Sequence, residues 1–291
     1  MRPLELFKGS FGSEPQPLPP YETLILQSRR ALSPLLTGEH DTPLAGEGLE
    51  FLEIDDYTSG DDVRRINWRA SARSAHPVVN RFARRRRLEV WLVYLAGGGM
   101  LAGDPISKHR VASTLLVALS DAAHRMGDTP RVLLYRKGAE SFLADASRYA
   151  PRRLYEQLST LVLEGHHAPI QGAVEWLQNR LRRRSLIVLV GDFFEPMDLS
   201  PLAARHELLA LQVRTPEEID PVDSGLYRDP ASRRESRLAL DPLRRQRYKK
   251  ALQNLDRDNR VHLDSLGIPQ GQFLTDEDPF PALAALLGAR R

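Results

Sequence analysis

No cysteine occurs among the 291 residues, which excludes disulfides and thiolate metal sites and fits a reducing compartment. Long apolar runs are missing as well. The longest uncharged stretch, Val90 to Gly103, is glycine-rich and falls short of the ~20 apolar residues that a membrane helix needs. Met1 to Ser10 carries Arg2, Glu5 and Lys8 with no apolar core behind them, so no signal peptide is read there. The cytoplasm is the expected compartment. Nor does one sign of charge dominate: 41 Lys and Arg stand against 38 Asp and Glu, a net +3. That excludes an overall polycation and leaves the basic residues clumped at Arg84–Arg87, Arg182–Arg184 and Arg290-Arg291. Hydrophobic residues at 42% and charged residues at 27% are those of an ordinary globular chain, long enough to bury a sizeable core.

What is present reads as an extended arm, a short subdomain and a larger α/β domain, at residues 1–45, 46–87 and 88–291. Prolines and glycines punctuate the first twenty residues. A short helix is predicted from Tyr21 to Leu32, stopped by Ser33-Pro34. Leu49 to Ile54 alternates as a strand, with Val78 to Phe82 as its partner. Val90 to Ala96 is a continuous apolar run bounded by glycines, the pattern of a strand buried on both faces. Asp104-Pro105 reads as the N-cap and first position of the helix that follows. Strands at Arg131–Tyr135, Leu186–Val190, Leu208–Val213 and Gln272–Thr275 alternate with helical stretches, and Ser141–Leu143 fits a short edge strand. Alternating apolar strands and helices imply a doubly wound, mostly parallel sheet covered on both faces.

One stretch is denser in special residues than any other: Tyr57-Thr-Ser-Gly-Asp-Asp-Val-Arg-Arg-Ile-Asn-Trp-Arg-Ala-Ser-Ala-Arg73. Asp61 suits the N-cap of a short helical turn, and Trp68 offers a plate for an arginine. Asp61, Asp62, Arg64, Arg69 and Arg73 are expected to form an ion-pair network fastening the subdomain to the sheet, with Trp68 packed beneath. Trp68→Ala would then cost on the order of 3 kcal/mol.

Tyr57, Gly60, Asp61, Asp62, Arg64, Ile66, Asn67, Trp68, Ser71, Ala72 and Arg73 resemble the signature of the bacterial domain of unknown function 58 family. Lys108, Gly127-Asp128, Gly191-Asp192-Phe193 and Pro216-Glu217-Glu218 agree with it in order, and the resemblance runs from Gly46 to the end. It implies a von Willebrand factor A-like domain after a small β-containing subdomain. Many such domains hold Mg²⁺ on Asp-x-Ser-x-Ser after the first strand, since Mg²⁺ demands oxygen ligands in near-octahedral array. The corresponding positions here are Leu95, Gly97 and Gly99, none with a side-chain oxygen. Asp192 remains alone, so the resemblance implies a degenerate metal site. It also implies a non-catalytic adaptor that partners a MoxR-type AAA+ ATPase in chaperone-like assembly or maturation. Gly98, Met100 and Leu101, with Phe193, Phe194 and Met197, are read as the partner-binding residues at the strand ends.

Other readings are weaker. Gly97 to Ala102 matches the dinucleotide fingerprint, but Asp104 would stand near a bound pyrophosphate and Arg136-Lys137 replaces the acidic ribose partner. His166 and His167 read as a loop pair. No serine has a His and Asp at a recognisable spacing. No cofactor is expected. Two alternatives to the adaptor stay open: a nucleic-acid-binding protein using the arginine clusters, and a metal- or nucleotide-dependent enzyme.

Overall fold

A computed structural model of the chain describes residues 17–37, 49–58, 61, 63, 66–74, 76–84, 89–128, 130–144, 147–221, 225–228, 235–238 and 241–289. The chain divides into two compact units, residues 45–87 and the remainder.

In chain order the elements begin with helix α1 (Tyr21–Thr37), strand β1 (Leu49–Asp56), helix α2 (Trp68–Ser71), and strands β2 (Val78–Arg84) and β3 (Glu89–Leu95). Helix α3 (Lys108–Arg125), strands β4 (Arg131–Tyr135) and β5 (Ser141–Ala144), and helices α4 (Ala150–Ser159) and α5 (Ile170–Arg180) follow. Next come β6 (Ser185–Gly191), α6 (Ser200–Ala203), β7 (Glu207–Arg214), α7 (Pro216–Ile219), β8 (Gly225–Arg228) and β9 (Glu235–Leu238). The long α8 (Pro242–Ser265), β10 (Gln270–Leu274) and α9 (Pro279–Gly288) complete the series.

The larger unit is built on a six-stranded sheet in the order β5-β4-β3-β6-β7-β10. All neighbours are parallel except β5, which runs antiparallel to β4 at the edge. Renumbered along the chain, that order is 3-2-1-4-5-6, the doubly wound arrangement. Successive side chains of a strand point to opposite faces. Leu92 and Tyr94 therefore join one core with Val111 and Leu115 of α3, Leu24 of α1, Leu154 of α4 and Leu283 of α9. Trp91, Val93 and Leu95 join the other with Val174 and Leu177 of α5 and Leu263 of α8. Burying both faces removes polar positions from the strand, so β3 and β6 read as unbroken apolar runs.

Two element boundaries differ from expectation. Helix α1 does not stop at Ser33-Pro34 but continues to Thr37. It belongs with the sheet rather than with the segment after it: Arg29 grips the buried carboxylate of Asp121 on α3 through Nε at 3.0 Å and Nη2 at 2.7 Å. Helix α3 does not begin at Asp104-Pro105. The Lys108 amide donates to Ala102 O at 2.7 Å, closing the intervening loop on itself. The helix starts one loop later, capped by Ser107, whose hydroxyl accepts from Arg110 N. Helix α7 and the β8–β9 hairpin lie in a polar stretch where no element was expected.

The smaller unit is the antiparallel pair β1–β2 with α2 between them. The signature residues act here mainly as a clamp. Asn67 caps α2 by accepting from Ala70 N at 3.0 Å, while its amide group donates to Asn80 Oδ1 of β2. Ser71 donates to Asn67 O at 2.9 Å and accepts from Val78 N at 2.9 Å. Tyr57 N donates to Pro77 O at the mouth of the loop. The Asp61 carboxylate accepts from the Thr58 amide and hydroxyl, closing a turn. Gly60, and the Asp62, Arg64 and Arg65 on which its expected capping role depends, lie outside the described residues.

Trp68 was expected beneath this loop and is instead 68% exposed, while Arg69 and Arg73 are exposed too. Position 68 is the first residue of a one-turn helix, whose bonds to β2 come from Asn67 and Ser71, so the indole is left on the outside. Trp68→Ala should accordingly shift the melting temperature by less than about 2 °C, as for an ordinary surface substitution. A calorimetric melt of the variant decides; a drop of ten degrees would put the ring back in a core.

Candidate functional site at the carboxyl ends of the strands

In an open α/β sheet of this order, ligands sit beyond the carboxyl ends of the strands, where the crossovers leave for opposite faces. Here that point lies between β3 and β6. Four segments build this end: the loop after β3 with the start of α3, the loop after β6, the end of β7 with α7, and one face of α8.

The loop after β3 contributes backbone rather than functional groups. Gly98 to Leu101 form one turn of 3-10 helix. The Gly98 amide is already spent on His166 O at 2.9 Å, and a Cβ on Gly97 would lie 3.2 Å from Ala168 N. These glycines are explained by close approach of two loops. With the Gly98 amide occupied, the dinucleotide fingerprint loses a donor it would need. His166 and His167 are part of this packing, His167 O accepting from Lys137 N.

Lys108, the first residue of α3, is fully buried. Its ammonium donates to Asp192 Oδ2 at 3.2 Å and to Glu218 Oε1 at 2.5 Å. Asp192 follows β6. Glu218 is presented by α7, where a reciprocal capping box fixes it: Thr215 Oγ1 accepts from Glu218 N, and Glu218 Oε2 accepts from Thr215 N. Burial pushes the Glu218 carboxyl up from its ordinary value, against the downward pull of Lys108 and Arg214.

Phe194 lies between two cations, its ring centroid 4.8 Å from Lys108 Nζ and 3.8 Å from the Arg214 guanidinium carbon. Arg214, the last residue of β7, is also fully buried. Its Nη2 donates to Asp256 of α8 at 2.7 Å, and Gln212 donates to the same oxygen. The Nε and Nη1 groups of Arg214 and the Tyr248 hydroxyl are buried with no hydrogen-bond partner among the described residues. Arg214 is thus held by Asp256 on one side and by the Phe194 face on the other.

The structure brings together only part of what was expected at this end. Met100, Phe193 and Met197 are not surface anchors; they are 1%, 3% and 7% exposed. Met100 packs with Leu92 and Tyr94, whereas Phe193 and Met197 pack against α5 and α6. Phe193 takes a positive φ of 49° and is buried, while its neighbour Phe194 stays half-buried between the two cations. Gly98 is buried, so a bulky residue there would test the fold rather than a surface. Leu101 and Phe194 remain half-buried. Asp192 is paired with Lys108. Neither Lys108 nor Arg214 was singled out as a buried charge; the Thr215-x-x-Glu218 capping box was the legible signal for α7 and its carboxylate.

At the strand ends Leu95, Gly97 and Gly99 bring no side-chain oxygen, and Asp192 faces an ammonium. Among the described residues, no group of three or more acidic or imidazole side chains is placed to hold a metal ion. No helix among them is long and apolar enough to cross a membrane. Of the arginine clusters, Arg182–Arg184 is exposed; Arg85–Arg87 and Arg290-Arg291 lie outside the described residues, as does the side chain of Arg84.

The family described as "Protein of unknown function DUF58" matches residues 53–259. The chain belongs to the DUF58 family. The match begins within β1 and ends within α8, so it takes in the clamp around Asn67, the Lys108 site and most of the sheet. An uncharacterized protein of Mycobacterium tuberculosis, Rv1480, is 26% identical over 302 residues, covering 100% of this DUF58 chain and 95% of that relative. An uncharacterized protein of Mycobacterium avium, MAV169, is 27% identical over 133 residues, covering 44% of this chain and 79% of that relative.

Beside the site stands a half-buried imidazole. His109 follows Lys108 on α3, with Nε2 2.9 Å from Leu158 O and Nδ1 2.8 Å from the Tyr94 hydroxyl. A carbonyl only accepts, so Nε2 carries the proton and Nδ1 accepts from Tyr94. Burial holds the His109 pKa below the ordinary imidazole value, with the Leu158 bond pulling weakly upward. The unfolded imidazole takes a proton near pH ~6.5 and the folded one only at lower pH. Stability is therefore intact above that point and is lost as pH falls through it. Glu218, with its raised pKa, works in the opposite sense. Between pH 7.5 and 5 the parent should lose more melting temperature than His109→Gln does; parallel slopes would acquit His109.

Proposed function

We propose that this DUF58 chain is a non-catalytic protein-interaction module of von Willebrand factor A-like topology. In this reading it is a cytoplasmic adaptor for a MoxR-type AAA+ ATPase, acting in the assembly or maturation of other complexes. The strand order with one antiparallel edge strand supports the topology. The choice of ATPase rests on the resemblance carried by the signature loop.

The observation behind a non-catalytic reading is Lys108. Its ammonium lies between Asp192 and Glu218, at the position where sheets of this order take their ligands. A tethered cation there opposes a second, free one by Coulomb repulsion in a poorly screened setting. At the same end Leu101 and Phe194 are half-buried, apolar groups suited to contact rather than to chemistry.

The test is co-purification with the MoxR-type ATPase of the same organism. The parent should retain it, and Phe194→Ala combined with Leu101→Ser should reduce retention at least fivefold with an unchanged circular dichroism spectrum. Failure of the parent to retain the ATPase sinks the partner. Full retention by the double variant moves the contact elsewhere.

A further inference from the structure

The opposite end of the same sheet carries a feature that the adaptor reading does not use. Trp91, near the amino end of β3, stacks on Phe142 of the edge strand, with ring centroids 5.3 Å apart and planes 28° apart. Trp176 of α5 meets Trp91 edge-on at 6.2 Å. Arginines cap this ladder: Arg180 sits 4.0 Å over Trp176, and Arg131 sits 5.6 Å over Trp91. The inner ring is buried, but Phe142 at the end of the ladder is 45% exposed and Trp176 is half-buried.

The strand register brings a second set of arginines to the same rim. Ser185 of β6 pairs with Glu89 of β3, and Trp91 pairs with Arg131 on one side and Ile187 on the other. Arg182, Arg183 and Arg184 directly precede Ser185, so they stand just beyond the strand ends that hold Trp91 and Arg131. All three are exposed. The acids nearby answer only part of this charge: Glu89 pairs with Arg131 at 3.6 Å and Glu207 with Arg184 at 3.2 Å. Asp128 lies in the turn before β4. Among the described residues the rim therefore carries more arginines than the carboxylates paired with them.

We propose that this rim binds single-stranded nucleic acid without sequence preference. Guanidiniums along a strand-end edge match a phosphate backbone, and the exposed Phe142 at the end of the ladder accepts a stacked base, since every base has a π-face. An acidic protein segment would use the arginines but has no need of Phe142 or Trp176, which is why the aromatic ladder favours nucleic acid.

The probe is a fluorescently labelled 20-nucleotide oligo(dT), followed by anisotropy with the intact chain at 50 mM and 200 mM salt. Binding should weaken with salt, with a log–log slope of about −2 if three phosphates are neutralised. Arg182→Glu with Arg183→Glu should lower affinity more than tenfold, and Phe142→Ala should lower it severalfold with the melt unchanged. Absence of binding to tens of micromolar at 50 mM salt overturns the proposal. So does affinity unaltered in both variants. Displacement of the oligonucleotide by poly-glutamate at equal charge concentration also overturns it, assigning the rim to an acidic protein instead. None of these outcomes involves the strand-end face used by the adaptor reading.

Discussion

Lys108→Met should lower the melting temperature by on the order of 10 °C, one of the two largest single effects expected in the molecule. The substitution keeps the length of the side chain but strips Glu218 and Asp192 of their shared cation. Removing one partner of a buried pair costs about 3–5 kcal/mol, because the remaining charge stays buried and uncompensated. In a domain of this size each kcal/mol is worth roughly 2–4 °C. Since burial already pushes the Glu218 carboxyl upward, the variant can escape by taking up a proton. Its deficit should shrink as pH falls from 8 toward 5.5, the reverse of the His109 trend. Adding Glu218→Gln should recover a large part of the loss. A single variant that melts within two degrees of the parent would show that the ammonium is hydrated and that the carboxylates do not depend on it.

Gly103→Ala is the other. Gly103 has a φ of +113°, and a Cβ there would lie 2.1 Å from Ile106 O. Both the backbone conformation and the contact are closed to a side chain, and the contacted atom is backbone, so no rotamer change relieves it. The expected cost is on the order of 3 kcal/mol, taking the strain of the conformation together with displacement of the loop. That loop sets where α3 begins, and so where Lys108 enters the core. Urea unfolding should show a lower midpoint with an unchanged slope. Combined with Lys108→Met, the two losses should be less than additive, because the first already disturbs the pair that the second removes. Strict additivity would separate the loop from the site.

The parts of the fold legible in the sequence are those where burial writes a pattern. β3 and β6, apolar on both faces, were readable as runs, and β5 as a short edge segment beside β4. The start of α3 is hidden because Asp104-Pro105 has the chemistry of a helix start, while the choice of Ser107 depends on how the loop closes through the bond from Lys108 N to Ala102 O. Phe193, Phe194 and Met197 look alike as apolar loop residues; the structure buries the first and last and leaves Phe194 half-buried against Lys108 and Arg214, and nothing local announces it. Trp68 misled in the other direction, since a large aromatic in a charged loop suggests an anchor and here α2 turns it outward. The β8–β9 hairpin lacks the alternation that marks a half-buried strand. Buried Lys108 and Arg214 are the least legible of all, because single charged residues carry no periodicity and their partners lie far along the chain.

That distance has a kinetic meaning. Lys108 reaches Glu218 across 110 residues of chain, and its carboxylate is presented only once β7 and α7 are in place. The pair joins segments whose loop closure must be complete beforehand, so it is a poor seed for folding. Its energy should be missing from the transition state and present only in the native state, acting on the rate of unfolding. A chain secured in this way keeps its shape by leaving it slowly.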